Sequence, residues 1–303
     1  MLTTASMSRA LWTSALASTA LDGVRVHWST APVSRPESLR FASFGVGVAV
    51  EATEAAHLDS VRSRLDQIMA GYVQGIGDEA VQHVFSIDAT RAGSIALSLD
   101  GTPIGESPSV TVALQYLCTR IKLVVAEHTQ THVLVHAGVV GIGGRAVVLP
   151  AHSFHGKTTL VRTLVAHGAT YYSDDLAVFD TDGLVHPFAK TLSLRGLTDD
   201  HAQVEYTVES LGGVAGERPL PVGLVLLTKF VPDAVWAPRP LTPAQATLKL
   251  AEHTLNLRAH PRVALGVLRR VVTGGAVLWE SDRGDAEEVA ERVFQALSQV
   301  ADR

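Results

Sequence analysis

A single cysteine, Cys118, in 303 residues excludes an internal disulfide framework and any zinc site built on several thiolates. It fits a reducing, cytoplasmic setting. An excess of basic charge is also missing: 25 Lys and Arg stand against 30 Asp and Glu, a net charge of −5. The chain therefore has no overall pull toward nucleic acid or anionic lipid. No run approaches the roughly 18 uninterrupted apolar residues of a membrane-crossing helix. Neither nucleic acid nor a membrane is an expected partner. Residues 10–21, small and fairly apolar after Arg9, are broken by Thr13, Ser14, Ser18 and Thr19. They read as a loosely held leader or a short amphipathic helix, not as the dense apolar centre of a signal peptide. Internal repeats and low-complexity blocks are absent too. What is present is 47 % apolar and 18 % charged residues, the balance of a globule with a substantial core.

The pattern changes character near residue 130, which divides an N-terminal domain of 1–130 from a second domain of 131–303. In the first, 41–50, 81–87 and 94–99 read as strands. Residues 57–69 carry Leu58, Val61, Leu65 and Ile68 at helical spacing. Gly101-Thr-Pro is turn chemistry, and 110–127 reads as a helix apolar on most sides, hence buried. Together these make a smaller α+β domain. In the second, 132–142 and 145–149 are β-rich runs joined at Gly143-Gly144, a hairpin signal. The spacing predicts a helix over 157–166 with Gly168 as its C-cap. Strands follow at 169–172, 176–179, 191–195, 222–231 and 276–280, with helices at 243–255, 261–272 and 285–300. Residues 202–218, glycine-bearing and weakly patterned, are a candidate mobile loop. Alternating strands and helices give the class α/β.

One segment carries chemistry. The phosphate-loop pattern is G-x-x-x-x-G-K-[ST] between a strand and a helix. Here the text is Ala151, His152, Ser153, Phe154, His155, Gly156, Lys157, Thr158, Thr159, matching at Gly156, Lys157 and Thr158 and departing at Ala151. Such a loop turns backbone N–H groups inward onto phosphate oxygens. The helix N-terminus adds about half a positive charge. Lys157 would supply a point charge for the β and γ phosphates, and the Thr158 hydroxyl could ligate Mg²⁺. Alanine at the first position is tolerated if that residue needs no positive φ. Asp174 follows Lys157 by seventeen residues, and Asp174-Asp175 closes the next strand. Adjacent carboxylates there can hold Mg²⁺ and take a proton from a hydroxyl; the blander reading is an exposed Ser-Asp-Asp turn. His136 lies on the strand entering the hairpin, where a half-buried structural histidine is the ordinary finding.

The combined text, Val135-His136-Ala137-Gly138, Gly156-Lys157-Thr158-Thr159, Ser173-Asp174-Asp175 and Leu194-Arg195-Gly196-Leu197, resembles the C-terminal kinase domain of HPr kinase/phosphorylase and its relatives. These share a nucleotide-binding fold with phosphoenolpyruvate carboxykinases. Leu241-Thr-Pro-Ala, residues 250–256 and Val277-Leu-Trp resemble the tail of the same relatives. The resemblance implies a mixed-sheet P-loop kinase domain of this type with ATP and Mg²⁺. Residues 151–159 would hold phosphates, and Thr158 and Asp175 would hold the metal. Asp174 would take the proton from an acceptor hydroxyl, and His136 would sit beside the phosphates or Asp174. Arg195 would stabilise charge on the transferring group. The implied reaction is ATP-dependent transfer to a hydroxyl of a small molecule, a peptide or a protein. The chain departs from the family at Ala151 and at Ser193, where an acidic residue is expected. Residues before 130 do not resemble the family's N-terminal domain, so the acceptor need not be HPr. A nucleotide-binding sensor or scaffold without transfer is the alternative, and a homo-oligomer is compatible with the sequence.

Rival readings are weaker. Gly141-Ile-Gly143-Gly-Arg-Ala lies between two strands and is a turn, not a dinucleotide fingerprint. His152 and His155 lack a third metal ligand nearby. Ser153 lacks the G-x-S-x-G elbow of a hydrolase. Cys118 sits in an apolar helix, and Arg269-Arg270 and Arg258-Ala-His260 read as solvated helix-end charges.

Overall fold

A computed structural model of the chain describes residues 37–152, 155–194 and 204–301. The sequence-predicted leader at 10–21 lies outside them. The chain divides into two compact units, Met1–Thr129 and Gln130–Arg303. Both combine helices with sheets, and the described part is a mixed α/β structure.

In the first unit, β1 (Glu37–Ser43), β2 (Val46–Ala52), β3 (Gln74–Gly75), β4 (His83–Ala89), β5 (Ile95–Leu99) and β6 (Thr102–Ser107) form a sheet in the order β3-β1-β2-β4-β5-β6. Helices α1 (Ala55–Ile68) and α2 (Val110–His128) touch each other and the sheet, so they cover one face. The apolar stripe of α1 is buried at Leu58, Val61 and Leu65, as its spacing dictates. Ser109 caps α2 by accepting the Val112 N–H at 3.4 Å. Cys118 is fully buried on α2, and burial pushes its thiol up to about 12, which makes it an inert core residue.

Two features of this unit depart from the sequence expectation. The apolar run 41–50 is not one strand but a hairpin, broken at Phe44-Gly45. Both residues have positive φ, 48° and 78°, the geometry of a tight two-residue turn. Phe44 accepts that conformation because its ring is buried and stacks on Tyr72 at 4.4 Å between centroids. The turn at Asp100-Gly101 leads into a further strand, β6, that was not expected; Pro103 is tolerated there because β6 is an edge.

The second unit contains β7 (Val133–Ile142), β8 (Arg145–Pro150), α3 (Lys157–Ala166), β9 (Thr170–Ser173), β10 (Leu176–Phe179), β11 (Val185–His186), β12 (Leu192–Leu194), β13 (Val204–Tyr206), β14 (Val222–Phe230), β15 (Arg239–Pro240), α4 (Pro243–Glu252), α5 (Pro261–Thr273), β16 (Val277–Arg283) and α6 (Ala286–Ala301). Eight of its described strands form a sheet in the order β11-β10-β7-β8-β14-β16-β15, with β9 also on β7, and β12 and β13 form a separate two-stranded sheet. The sheet is mixed: β8, β14 and β16 run parallel, while β7 is antiparallel to β8, β9 and β10.

Alternation on each strand builds two cores. Ala146 and Val148 of β8 and Val225 and Leu227 of β14 face Ala246, Leu250, Val267 and Leu268 of α4 and α5. Val147, Leu149, Leu224 and Leu226 face Leu160 and Leu164 of α3 and Val289 and Val293 of α6. A sheet covered on both faces needs apolar residues at successive positions, which is why β8 and β14 read as unbroken hydrophobic runs.

The candidate mobile loop at 202–218 needs correction over its described residues. Residues 204–206 pair with β12, Ala215 bridges Tyr171, and Gly213 and Gly216 approach Val165, Val208 and Tyr172 so closely that a Cβ would collide. Arg270 is not merely solvated either; it donates to the Thr181 carbonyl at 2.9 Å.

Candidate functional site

Strand register decides which residues meet. β9 and β10 lie end to end along the same edge of β7: Val139 pairs Ser173, while His136 pairs Leu176. Asp174-Asp175 therefore forms a break opposite the middle of β7, where the Ala137 N–H donates to the Asp175 carbonyl at 3.1 Å. On the other edge of β7, Ala137 pairs Pro150, the last residue of β8. The start of the 151–156 loop and the carboxylate corner thus flank one residue of one strand. At about 4.8 Å per strand spacing, their backbones stand roughly 10 Å apart, a gap that side chains close.

Helix α3 is pressed onto that strand. A Cβ on Gly138 would lie 2.6 Å from Val161 Cγ2 and 3.1 Å from Lys157 Cγ, so only glycine lets the helix start this close. Gly156, the N-cap, has φ 78° and ψ 17°, a left-handed conformation. The first i→i−4 bond of α3 runs from the Leu160 N–H to the Gly156 carbonyl at 3.1 Å. The N–H groups of 156–159 precede it and have no partner within the helix. Ala151 is buried and is not among the positive-φ residues, so the departure from glycine at that position creates no backbone strain.

The two carboxylates point different ways. Asp174 is 6 % exposed. Its Oδ1 is 3.0 Å from Lys190 Nζ and accepts from the Tyr171 hydroxyl at 3.2 Å. The single Tyr171 proton is shared with the Lys190 carbonyl, 3.1 Å away. The other oxygen, Oδ2, accepts from the Thr158 hydroxyl at 3.4 Å. Burial, and next the negative charge of Asp174, push the Tyr171 phenol far above its ordinary range, so it acts here only as a donor. Asp175 turns to the other side: its Oδ1 is 3.5 Å from His136 Nδ1, and His136 Nε2 is 2.9 Å from Lys157 Nζ. Lysine has no acceptor, so the ammonium donates to Nε2 and the tautomer with Nδ1–H faces Asp175. Lys157, His136 and Asp175 thus form one chain, and Thr158, Asp174, Tyr171 and Lys190 a second, side by side.

A group of imidazoles borders the loop. The His152 ring lies 4.5 Å from that of His253 and 5.5 Å from that of His155. The segment carrying His253 runs along β7, the His136 N–H donating to the His253 carbonyl at 2.8 Å. Burial, reinforced by His152, His136, Lys157 and His155, drives His253 down to about 3. His155 is also lowered, by burial first and then by His152, Lys229 and Lys157. Both rings are therefore neutral at pH 7 in the absence of an anion.

His136, Lys157, Thr158, Asp174 and Asp175, together with Gly156, are brought into one place. Thr159 sits in the first turn of α3 and is exposed. Ser153, Phe154 and Arg195 lie outside the described residues. The backbone of Ser193 is in β12. Sequence reasoning missed Lys190, Tyr171 and His253; none belongs to the motif, and only the fold brings them to it. Among the described residues no group of three or more His, Cys, Asp or Glu could hold a metal unaided. Magnesium, which keeps waters and shares its shell with substrate phosphates, needs only one or two protein carboxylates and a hydroxyl. Thr158 with a carboxylate of the Asp174-Asp175 corner is a donor set of that kind. No described helix is long and apolar enough to cross a membrane.

No family model matches the chain, and no curated protein matches it. Among solved structures, it is similar to an HPr(Ser) kinase/phosphatase from Coxiella burnetii, at 11 % identity and a TM-score of 0.29, over 55 % of this chain and 94 % of that one. This is a weak structural similarity only.

Proposed function

We propose that the second unit binds ATP with Mg²⁺ and transfers the γ-phosphoryl group to a hydroxyl of a small molecule, a peptide or a protein. The observation that carries the reading is the meeting of the α3 N-terminus with the carboxylate corner, Thr158 Oγ1 standing 3.4 Å from Asp174 Oδ2. In this reading the N–H groups that open α3 receive phosphate oxygens, adding the helix dipole to the charge of Lys157. His136 holds the ammonium near the loop and would release it to an arriving phosphate. Thr158 would hold Mg²⁺ with the Asp174-Asp175 corner, and the ion would neutralise charge on the β and γ oxygens. Lys190 and Tyr171 engage Oδ1 of Asp174, which leaves Oδ2 to orient the acceptor hydroxyl and take its proton as the oxygen bonds to phosphorus and ADP departs. Arg195 would add charge from the segment after β12.

A second reading is a nucleotide-binding module without transfer. Ser193 in place of the expected acidic residue favours it, because one contributor to a metal shell is then missing. Titration with MgATP, followed by incubation with candidate acceptors, separates the two. Transfer by the wild type and not by Asp174→Asn supports the kinase. Binding without turnover across a broad acceptor screen supports the module. No nucleotide binding removes both.

A further inference from the structure

A buried cation lies under the loop. Arg283, the last residue of β16, is 2 % exposed. Its Nη2 donates to the Gly156 carbonyl at 2.7 Å and its Nη1 to the Gly284 carbonyl at 3.2 Å, while the guanidinium lies 5.7 Å from the centre of the Phe230 ring. Its Nε is buried and, among the described residues, has no hydrogen-bond partner. Among the described residues no carboxylate forms an ion pair with it; the field of Asp285 acts on it, but burial outweighs that field, lowering the affinity of the guanidinium for its proton. A charge of this kind taken from water without a counter-charge is a cost to the fold.

The arrangement has a geometric consequence. The Gly156 carbonyl accepts twice, from the Leu160 N–H and from Arg283. Both donors fix the direction of the 156–157 peptide plane, and in a trans peptide the Lys157 N–H then points the opposite way, out of the helix end. Gly156 itself is required twice over. Its φ is left-handed, and a Cβ would lie 2.4 Å from Arg283 Nη2.

We infer that Arg283 is a positioning residue of the anion site at the start of α3: it pins the Gly156 carbonyl and supplies a fixed buried charge that a bound phosphate completes. This rests on the reading of the 151–156 loop as the phosphate site, and it adds a residue that the loop motif does not contain. Because the charge is uncompensated, removing it relieves the fold while weakening the site. A residue that served packing alone would lose stability on removal.

The test uses the full chain and two probes, MgATP and inorganic phosphate, with affinity read by calorimetry and stability by urea unfolding. Arg283→Met is expected to bind both probes at least tenfold more weakly, with an unfolding midpoint equal to or above that of the wild type. Arg283→Lys, which keeps the charge but not the fork, is expected to fall between. Wild-type affinity in Arg283→Met overturns the inference and leaves the loop reading intact. A Met variant that unfolds, or that loses stability along with affinity, also overturns it. No binding of either probe by the wild type removes the loop reading and the inference together.

Discussion

His253 gives the fold a pH dependence whose size can be worked out. In the unfolded chain its imidazole has the ordinary value of 6.5; in the folded protein it lies at about 3, from burial first and then from His152, His136, Lys157 and His155. A folded value below the unfolded one means that the unfolded state binds the extra proton, so stability is full above pH 6.5 and falls as pH drops toward 3. At pH 5 the unfolded imidazole is almost wholly protonated and the folded one neutral, which costs about 2 kcal/mol relative to pH 8. Any folded value below about 4 gives the same figure at that pH. His155 and His132 are lowered as well, chiefly by burial, and add in the same direction. The carboxylates do not confuse the window. Burial would raise Asp180 and Glu280, but hydrogen bonds and charges from His186, Leu184 and Asp182 on the one, and from Lys249 and Arg239 on the other, bring them below their ordinary values. Their contributions are present above the unfolded carboxylate range and lost only as pH falls below about 4. The assay is urea unfolding at pH 8 and pH 5, followed by the fluorescence of Trp236 and Trp279, which pack on a core of the second unit. The wild type should lose about 2 kcal/mol more than His253→Gln between those pH values, since His155 and His132 contribute to both. Parallel losses in the two proteins would refute the reasoning.

Three further outcomes follow from the site. Lys190→Met leaves the buried Asp174 carboxylate without its cation; it should cost about 3–5 kcal/mol in chemical unfolding, the range for breaking a buried pair, and Lys190→Arg should recover most of it. An unchanged Lys190→Met would mean that the pair is not formed. Gly138→Ala should cost about 1–3 kcal/mol by overpacking and should weaken MgATP binding in calorimetry, because Val161 and the start of α3 must move off β7. Full affinity in a destabilised variant would detach the helix position from the site. Gly156→Ala should cost about 1–2 kcal/mol for the left-handed backbone alone, measured in urea, and should weaken MgATP further by displacing Arg283.

Local signals in the sequence reached some of this and not the rest. The strand, loop and helix around Gly156-Lys157-Thr158 are visible because hydrophobic alternation, a polar break and a helical stripe follow one another within about thirty residues. The separation of Asp174 from Lys157 is likewise short enough for one strand–helix–strand unit to return it. The Phe44-Gly45 turn was hidden, since apolar residues on both sides of a two-residue hairpin look like one run and a buried phenylalanine is an unusual occupant of a positive φ. Strand β6 was hidden by Pro103, which is acceptable only on an edge that the sequence does not reveal. Lys190, His253 and Arg283 stand 33, 96 and 126 residues after Lys157 and share no spacing with it. They reach the site because the link between β11 and β12, the strand-like 253–256 segment and β16 lie in or beside the sheet, which is a property of the topology and of no local pattern.

The central claim is that the opening turn of α3 holds the phosphates of a nucleotide. Calorimetric titration of the full chain with ATP, with and without Mg²⁺, tests it most directly. The account predicts saturable one-to-one binding that strengthens with Mg²⁺, weakens at least tenfold in Lys157→Ala, and is reproduced in its phosphate dependence by ADP but not by adenosine. Heat flow indistinguishable from dilution in the wild type, or equal affinity in Lys157→Ala, would contradict it.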